Sequence, residues 1–224
     1  MRHPIWGWNL PPIERAWVVS EIAEIRSIRS PNAKGHRLEA LVRRIFGDIP
    51  GLSLDDQDVV SSYRTQEIDL YYFNAREREG LHFLDCPLIV ECKGWTAPVD
   101  GRELRYFADL LKDKGRRDGI FVALNGITGD PDVPSAGFYH VATALAGGQL
   151  VLVVTGEDLV EACEAGGIVP LLRRRMLDQV KQQVLAASRA IPSKARTKEP
   201  SRGKRRTRPA KSRSGTLTHA NQIC

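Results

Sequence analysis

A chain of 224 residues with a hydrophobic fraction of 42% can bury an ordinary core and needs no covalent staples to fold. Its four cysteines, Cys86, Cys92, Cys163 and Cys224, are scattered without a C-x-x-C pair or a His/Cys cluster at ligand spacing, which argues against a disulfide scaffold and against a zinc site. The net charge of +6 is uneven: residues 189–224 carry eleven basic side chains and one acidic, a balance of +10, while the other 188 residues hold 22 basic and 26 acidic, a balance of −4. A basic tail on a mildly acidic body suits an arm that finds phosphate and a body that gathers carboxylates for another purpose.

The opening MRHPIWGWNLPP lacks the continuous apolar stretch of a signal peptide, and no run of about 18 apolar residues exists, so a reducing cytoplasm without membrane insertion is the expected home. Residues 1–30 read as an N-terminal loop followed by a helix near Glu14 to Ile28, stopped by Pro31. Leu38, Leu41, Val42, Ile45 and Phe46 recur at helical spacing and give an amphipathic helix ending at Gly47. A Gly/Asp/Ser-rich connection then leads to two strands, near Ile68 to Phe73 and Pro87 to Lys93, joined through the charged stretch Asn74 to Gly80. Beyond these follow a helix over Gly101 to Lys114, a buried strand at Gly119 to Leu124, a helix near Phe138 to Ala146, a strand at Gln149 to Val154 and a short helix from Glu157 to Ala165. This alternation predicts an α/β core with one mixed central sheet flanked by helices, over residues 31–168. A basic helix covers residues 169–190, and the Pro, Ser, Lys and Arg content of 191–224 predicts a disordered tail.

Chemistry concentrates in PLIVECKGW, where an apolar strand runs directly into Glu91, Cys92 and Lys93. Alternation puts Glu91 and Lys93 on one face and Cys92 on the other. An acid-x-Lys triplet alone is weak, since about one arises by chance in a chain of this composition. Its weight comes from its place at a strand end, 22 residues after Asp69, which is flanked by Ile68 and Leu70 on the preceding strand. Glu67 shares that strand face and competes with Asp69, although the apolar flanks favour Asp69.

These residues resemble the PD-(D/E)xK phosphodiesterases and, among them, the Mrr-like restriction endonucleases, over roughly Gly35 to Glu161. Gly35 and Glu39 match the helical G-x-x-x-E pattern, Asp69 the strand acid, and Glu91 with Lys93 the E-x-K. Val99, Leu104, Phe107, Ala108, Asp109 and Leu111 match the following helix, and Asp118, Gly119, Ile120 and Val122 its D-G-I-x-V strand. Ile68 stands where the family name has proline. The resemblance implies a restriction-endonuclease-like fold and a DNA endonuclease acting on foreign or modified DNA.

Phosphodiester hydrolysis needs charge neutralisation on the phosphate and a deprotonated water, which a hard divalent cation on oxygen ligands supplies. Asp69, Glu91 and the backbone carbonyl of Cys92 are the expected ligands of Mg²⁺, with Mn²⁺ able to substitute, while Lys93 orients or deprotonates the water and Glu39 serves as an auxiliary acid. Tyr63, Arg64, Arg102 and Arg105 are candidates for phosphate contact, although such residues on a loop and helix are usually solvated surface, and His140 reads as a packed histidine. Two other functions fit the same residues: a repair or recombination nuclease on branched or single-stranded DNA, and a noncatalytic DNA-binding module. Cutting both strands calls for two sites, so a homodimer is expected on symmetry.

Overall fold

The computed structural model describes residues 13–60, 67–129 and 136–190; the disorder expected for 191–224 and the loop expected at the N-terminus fall on residues outside these. The elements run α1 (Arg15–Ser27), α2 (Pro31–Phe46), β1 (Leu52–Val60), β2 (Glu67–Asn74), β3 (Leu88–Lys93), α3 (Gly101–Asp113), β4 (Asp118–Ala123), α4 (Ala136–Ala146), β5 (Leu150–Thr155), α5 (Gly156–Glu164) and α6 (Ile168–Ala190). Among the described residues, five strands form one sheet in chain order, antiparallel from β1 to β3 and parallel from β3 to β5. The α/β architecture with a mixed sheet is the one the alternating pattern predicts.

β1 departs from the expectation. Residues read as a Gly/Asp/Ser-rich connection form a nine-residue edge strand instead. Only Leu52 of its first residues is deeply buried, Leu54 is exposed, and a register shift between Leu54 and Asp56 breaks the alternation. An edge strand with so little apolar face is polar enough to pass for a loop.

Two cores sandwich the sheet. On one face Leu70, Tyr72, Leu88, Val90, Cys92, Ile120 and Val122 pack with residues of α1, α2, α5 and the start of α6; on the other, Ile89, Phe121, Ala123 and Val151 pack with α3 and α4. Helix ends follow local chemistry. Ser30 caps α2 by accepting from the Ala33 amide, with Pro31 in the first turn, and Asp100 caps α3 by accepting from the amides of Arg102 and Glu103. Thr155 and Asp158 form a reciprocal capping box on α5. Gly119 has no room for a side chain, since a Cβ there would lie 2.7 Å from Leu111 and 2.8 Å from Phe107. That close approach of α3 to β4 accounts for the glycine of D-G-I-x-V.

The aspartate before it closes the sheet at the N-terminal end of β4. Asp118 accepts from the Asp85 amide at 2.8 Å, and the Asp85 carboxylate pairs with Arg76 at 2.8 Å and Arg117 at 3.0 Å. The hydrogen bond from Arg117 holds Asp85 below the usual carboxylate range, whereas burial pushes Asp118 up to about 6. A carboxyl raised in the folded state favours its neutral form, so the penalty for ionising Asp118 grows as pH climbs from its unfolded value near 4 and saturates above about 6. Asp118→Asn keeps an acceptor for the Asp85 amide. Its melting temperature relative to the parent should rise by roughly 3–8 °C between pH 4 and pH 7 and then level off; a difference that stays constant in fluorimetric melts over this range would contradict the assignment.

Candidate active site

The site begins where two strands part. β2 and β3 pair through Tyr72↔Leu88, Tyr71↔Ile89 and Leu70↔Val90, so the next step of the register sets Asp69 opposite Glu91. The ladder stops there. The Cys92 amide donates to the Asp69 side chain, to Oδ2 at 2.6 Å, so a carboxylate takes a backbone donor just past the last paired residues. Because Val90 and Cys92 belong to the core beneath α1 and α2, alternation turns Glu91 and Lys93 toward α3.

Lys93 Nζ lies 2.6 Å from Glu91 Oε1, with the two side chains 23% and 11% exposed. Burial, and then the negative charge of Asp69, push Glu91 up to about 7 against the pull of Lys93. Burial works the other way on Lys93, but Glu91, Asp69 and Glu103 together outweigh it and hold the ammonium above its ordinary value. The centre therefore gathers Asp69 and Glu91, with Glu103 of α3 nearby, around one lysine. Excess buried negative charge and hard oxygen donors fit a divalent cation of the magnesium or manganese type. The Cys92 thiol is no competitor as a soft ligand: it sits on the opposite face, and burial raises it well above its usual range.

A cleft of about 620 Å³ opens beside this centre, lined by Asp69 and Lys93 together with Lys34, Glu39, Asp58 and Trp95 among others. Glu91 does not line it and has Oε1 engaged by Lys93, which leaves Oε2 as its remaining oxygen. Glu39, carried on α2, is brought to the same cleft, as the G-x-x-x-E pattern implies. It arrives with partners that the sequence reading missed: His36 Nδ1 lies 3.5 Å from Glu39 Oε2, and donor atoms of His36, Glu39 and Asp58 all fall within 4.8 Å of one another. His36 stands three residues before Glu39 on the same helix, a spacing that could have flagged it. Asp58 could not be found without β1. Its backbone adopts the left-handed conformation, with φ of 53°, which aspartate tolerates better than most residues.

Other candidates are dispersed. Tyr63 and Arg64 fall outside the described residues, as does the side chain of Glu67. Arg102 and Arg105 are exposed on α3, and Arg102 pairs with Glu103 at 3.8 Å. His140 is half-buried on α4, edge-on to Tyr139.

Compared with known proteins, residues 31–163 match the restriction endonuclease family (Mrr_cat). No curated protein matches the chain. The matched segment starts at the first residue of α2, takes in all five strands with Glu39, Asp69, Glu91 and Lys93, and ends within α5. It spans more than half of the chain, which thus belongs to the restriction endonuclease family with an Mrr-type catalytic fold.

Proposed function

We propose that this protein is a divalent-metal-dependent DNA endonuclease that restricts foreign or modified DNA, with its centre at Asp69, Glu91 and Lys93. The observation that carries the reading is that Asp69 and Glu91 flank the last pair of the β2–β3 ladder, Leu70↔Val90, with Asp69 accepting from the Cys92 amide and Lys93 2.6 Å from Glu91. Asp69, Glu91 and the Cys92 carbonyl are the groups that would hold Mg²⁺, or Mn²⁺ in its place. When bound, such an ion supplies charge neutralisation at the phosphate and a more acidic water.

The side chains divide the remaining work. Lys93, 2.6 Å from Glu91, orients or helps deprotonate the attacking water and stabilises charge growing on the phosphate oxygens. Asp69 holds β3 in place through the Cys92 amide, so a change at Asp69 disturbs both the cation and the strand that carries Lys93. Glu39, with His36 and Asp58, forms an outer acidic group that tunes the cation or holds a second one. Residues 31–168 form the nuclease core in this scheme, and the basic segment 191–224 is an electrostatic arm that adds affinity without choosing sequence. A homodimer would bring the two sites that cutting a duplex requires.

Incubation of the full chain with supercoiled plasmid and Mg²⁺ should yield nicked or linear product, and EDTA should abolish it. Asp69→Ala and Lys93→Ala should each slow cleavage by at least about a hundredfold; undiminished cutting by either variant would falsify the assignment. Glu39→Gln should cost about ten- to hundredfold and move the Mg²⁺ midpoint to higher concentration. An unchanged midpoint in a rate-versus-Mg²⁺ titration would remove Glu39 from the cation's surroundings.

A further inference from the structure

We infer that Trp95 is a stacking platform for a nucleobase lifted out of its stack beside the phosphate being cut, an inference that rests on the nuclease reading. Trp95 follows Lys93 by two residues, lines the same cleft as Asp69 and Lys93, and is 40% exposed. Two residues of extended chain reach about 7 Å, comparable to one nucleotide of a strand. An aromatic ring there meets the base next to a phosphate held at Lys93.

The loop that carries the ring is held by two side chains, Asn125 and Lys34, each of which is braced by Arg26. Asn125, just after β4, donates to the Trp95 carbonyl at 2.7 Å and the Thr96 carbonyl at 3.3 Å. Arg26 of α1 donates to Asn125 Oδ1 at 2.9 Å and pairs with Glu157 of α5 at 2.5 Å. From α2, Lys34 donates to Thr96 Oγ1 at 3.1 Å and to the Arg26 carbonyl at 3.4 Å, although it is only 6% exposed. Gly94 presses on α2 so closely that a Cβ would stand 3.0 Å from Lys34 Cγ and 3.1 Å from its carbonyl oxygen. Burying an ammonium is costly, and here its hydrogen bonds go to a loop oxygen and to the end of a neighbouring helix.

The ring itself receives none of this support. Among the described residues, the Trp95 indole makes no hydrogen bond and no ring contact. A tethered loop whose largest apolar side chain is partly open to the catalytic cleft positions that side chain for something outside the protein. The cleft presents Arg29 and Lys93 as cations beside the carboxylates of Glu39, Asp58 and Asp69, a lining that suits a phosphate strand bridged by a metal ion, so on the nuclease reading its occupant is a nucleotide. Every base has a π face that a tryptophan can cover, but in an intact duplex both faces are covered by neighbouring bases. The ligand class is therefore DNA with one base unstacked at the cut position.

The test uses the full chain and a fluorescein-labelled single-stranded oligonucleotide, with binding read by anisotropy in Ca²⁺ and gels confirming an intact probe. Trp95→Ala should weaken binding about tenfold, Trp95→Leu by a similar factor, and Trp95→Phe by about twofold. Leu and Phe are both large and apolar, so their difference isolates the π face even if the alanine variant unfolds. No binding by the parent chain, or a leucine variant within twofold of it, overturns stacking. Plasmid cleavage by the same preparations separates the two readings. A parent that cuts while Trp95→Leu binds undiminished leaves the nuclease standing and removes the stacking role. One whose binding depends on the ring but which cuts nothing in Mg²⁺ does the reverse.

Discussion

The hydrogen bond from the Cys92 amide to the Asp69 carboxylate governs the architecture of this centre. Antiparallel strands ordinarily satisfy their amides with backbone carbonyls, and continuing the β2–β3 ladder by one more pair would seal Asp69 against Glu91. Using a side chain as the acceptor lets the two strands separate without leaving the Cys92 amide unsatisfied, and it brings Asp69 close enough to raise the Glu91 proton affinity. Lys93 is then needed by its surroundings, because it is the cation that makes a buried Glu91 tolerable.

The rest of the chain works to hold that separation at one end of the sheet while closing the other. At the far end, the Arg76–Asp85–Arg117 cluster and Asp118 tie the segment between β2 and β3 to the start of β4. Near the site, α1, α2 and α5 converge on the loop after Lys93 through Arg26, Lys34 and Glu157. Strand splay, buried charge and an open cleft each weaken local structure, and the helices packed on both faces of β3 and β4 offset this with a dense apolar core.

Much of this was legible because the signals are periodic. The stripe of α2, the apolar run into Glu91, the α3 stripe and the alternation from β4 to α5 each survive in the structure to within a residue or two. Asp69 and Glu91 could be assigned to neighbouring strands, but not to opposing positions, because register depends on loop geometry that no local pattern encodes. β1 escaped notice since an edge strand with a bulge and the stretch Asp55, Asp56, Gln57 and Asp58 carries the composition of a loop. Asp58 was lost with it, and His36 was overlooked as a polar position on a helix. Lys34 shows the same limit from the other side: nothing about a lysine in a first helical turn announces that its ammonium is buried between a carbonyl oxygen of α1 and a hydroxyl of the loop after β3.

The character of β1 also bears on how copies of this protein can meet. A sheet edge offers a row of amides and carbonyls to any other strand, and unprotected edges invite fusion of sheets between molecules. Here the edge is interrupted by a register shift and bristles with aspartates whose mutual repulsion a second copy would double. Two molecules brought together by this rim would place like charge against like charge close to Asp58, at the mouth of the cleft. The acidic, interrupted edge thus disfavours strand-to-strand fusion of sheets between copies.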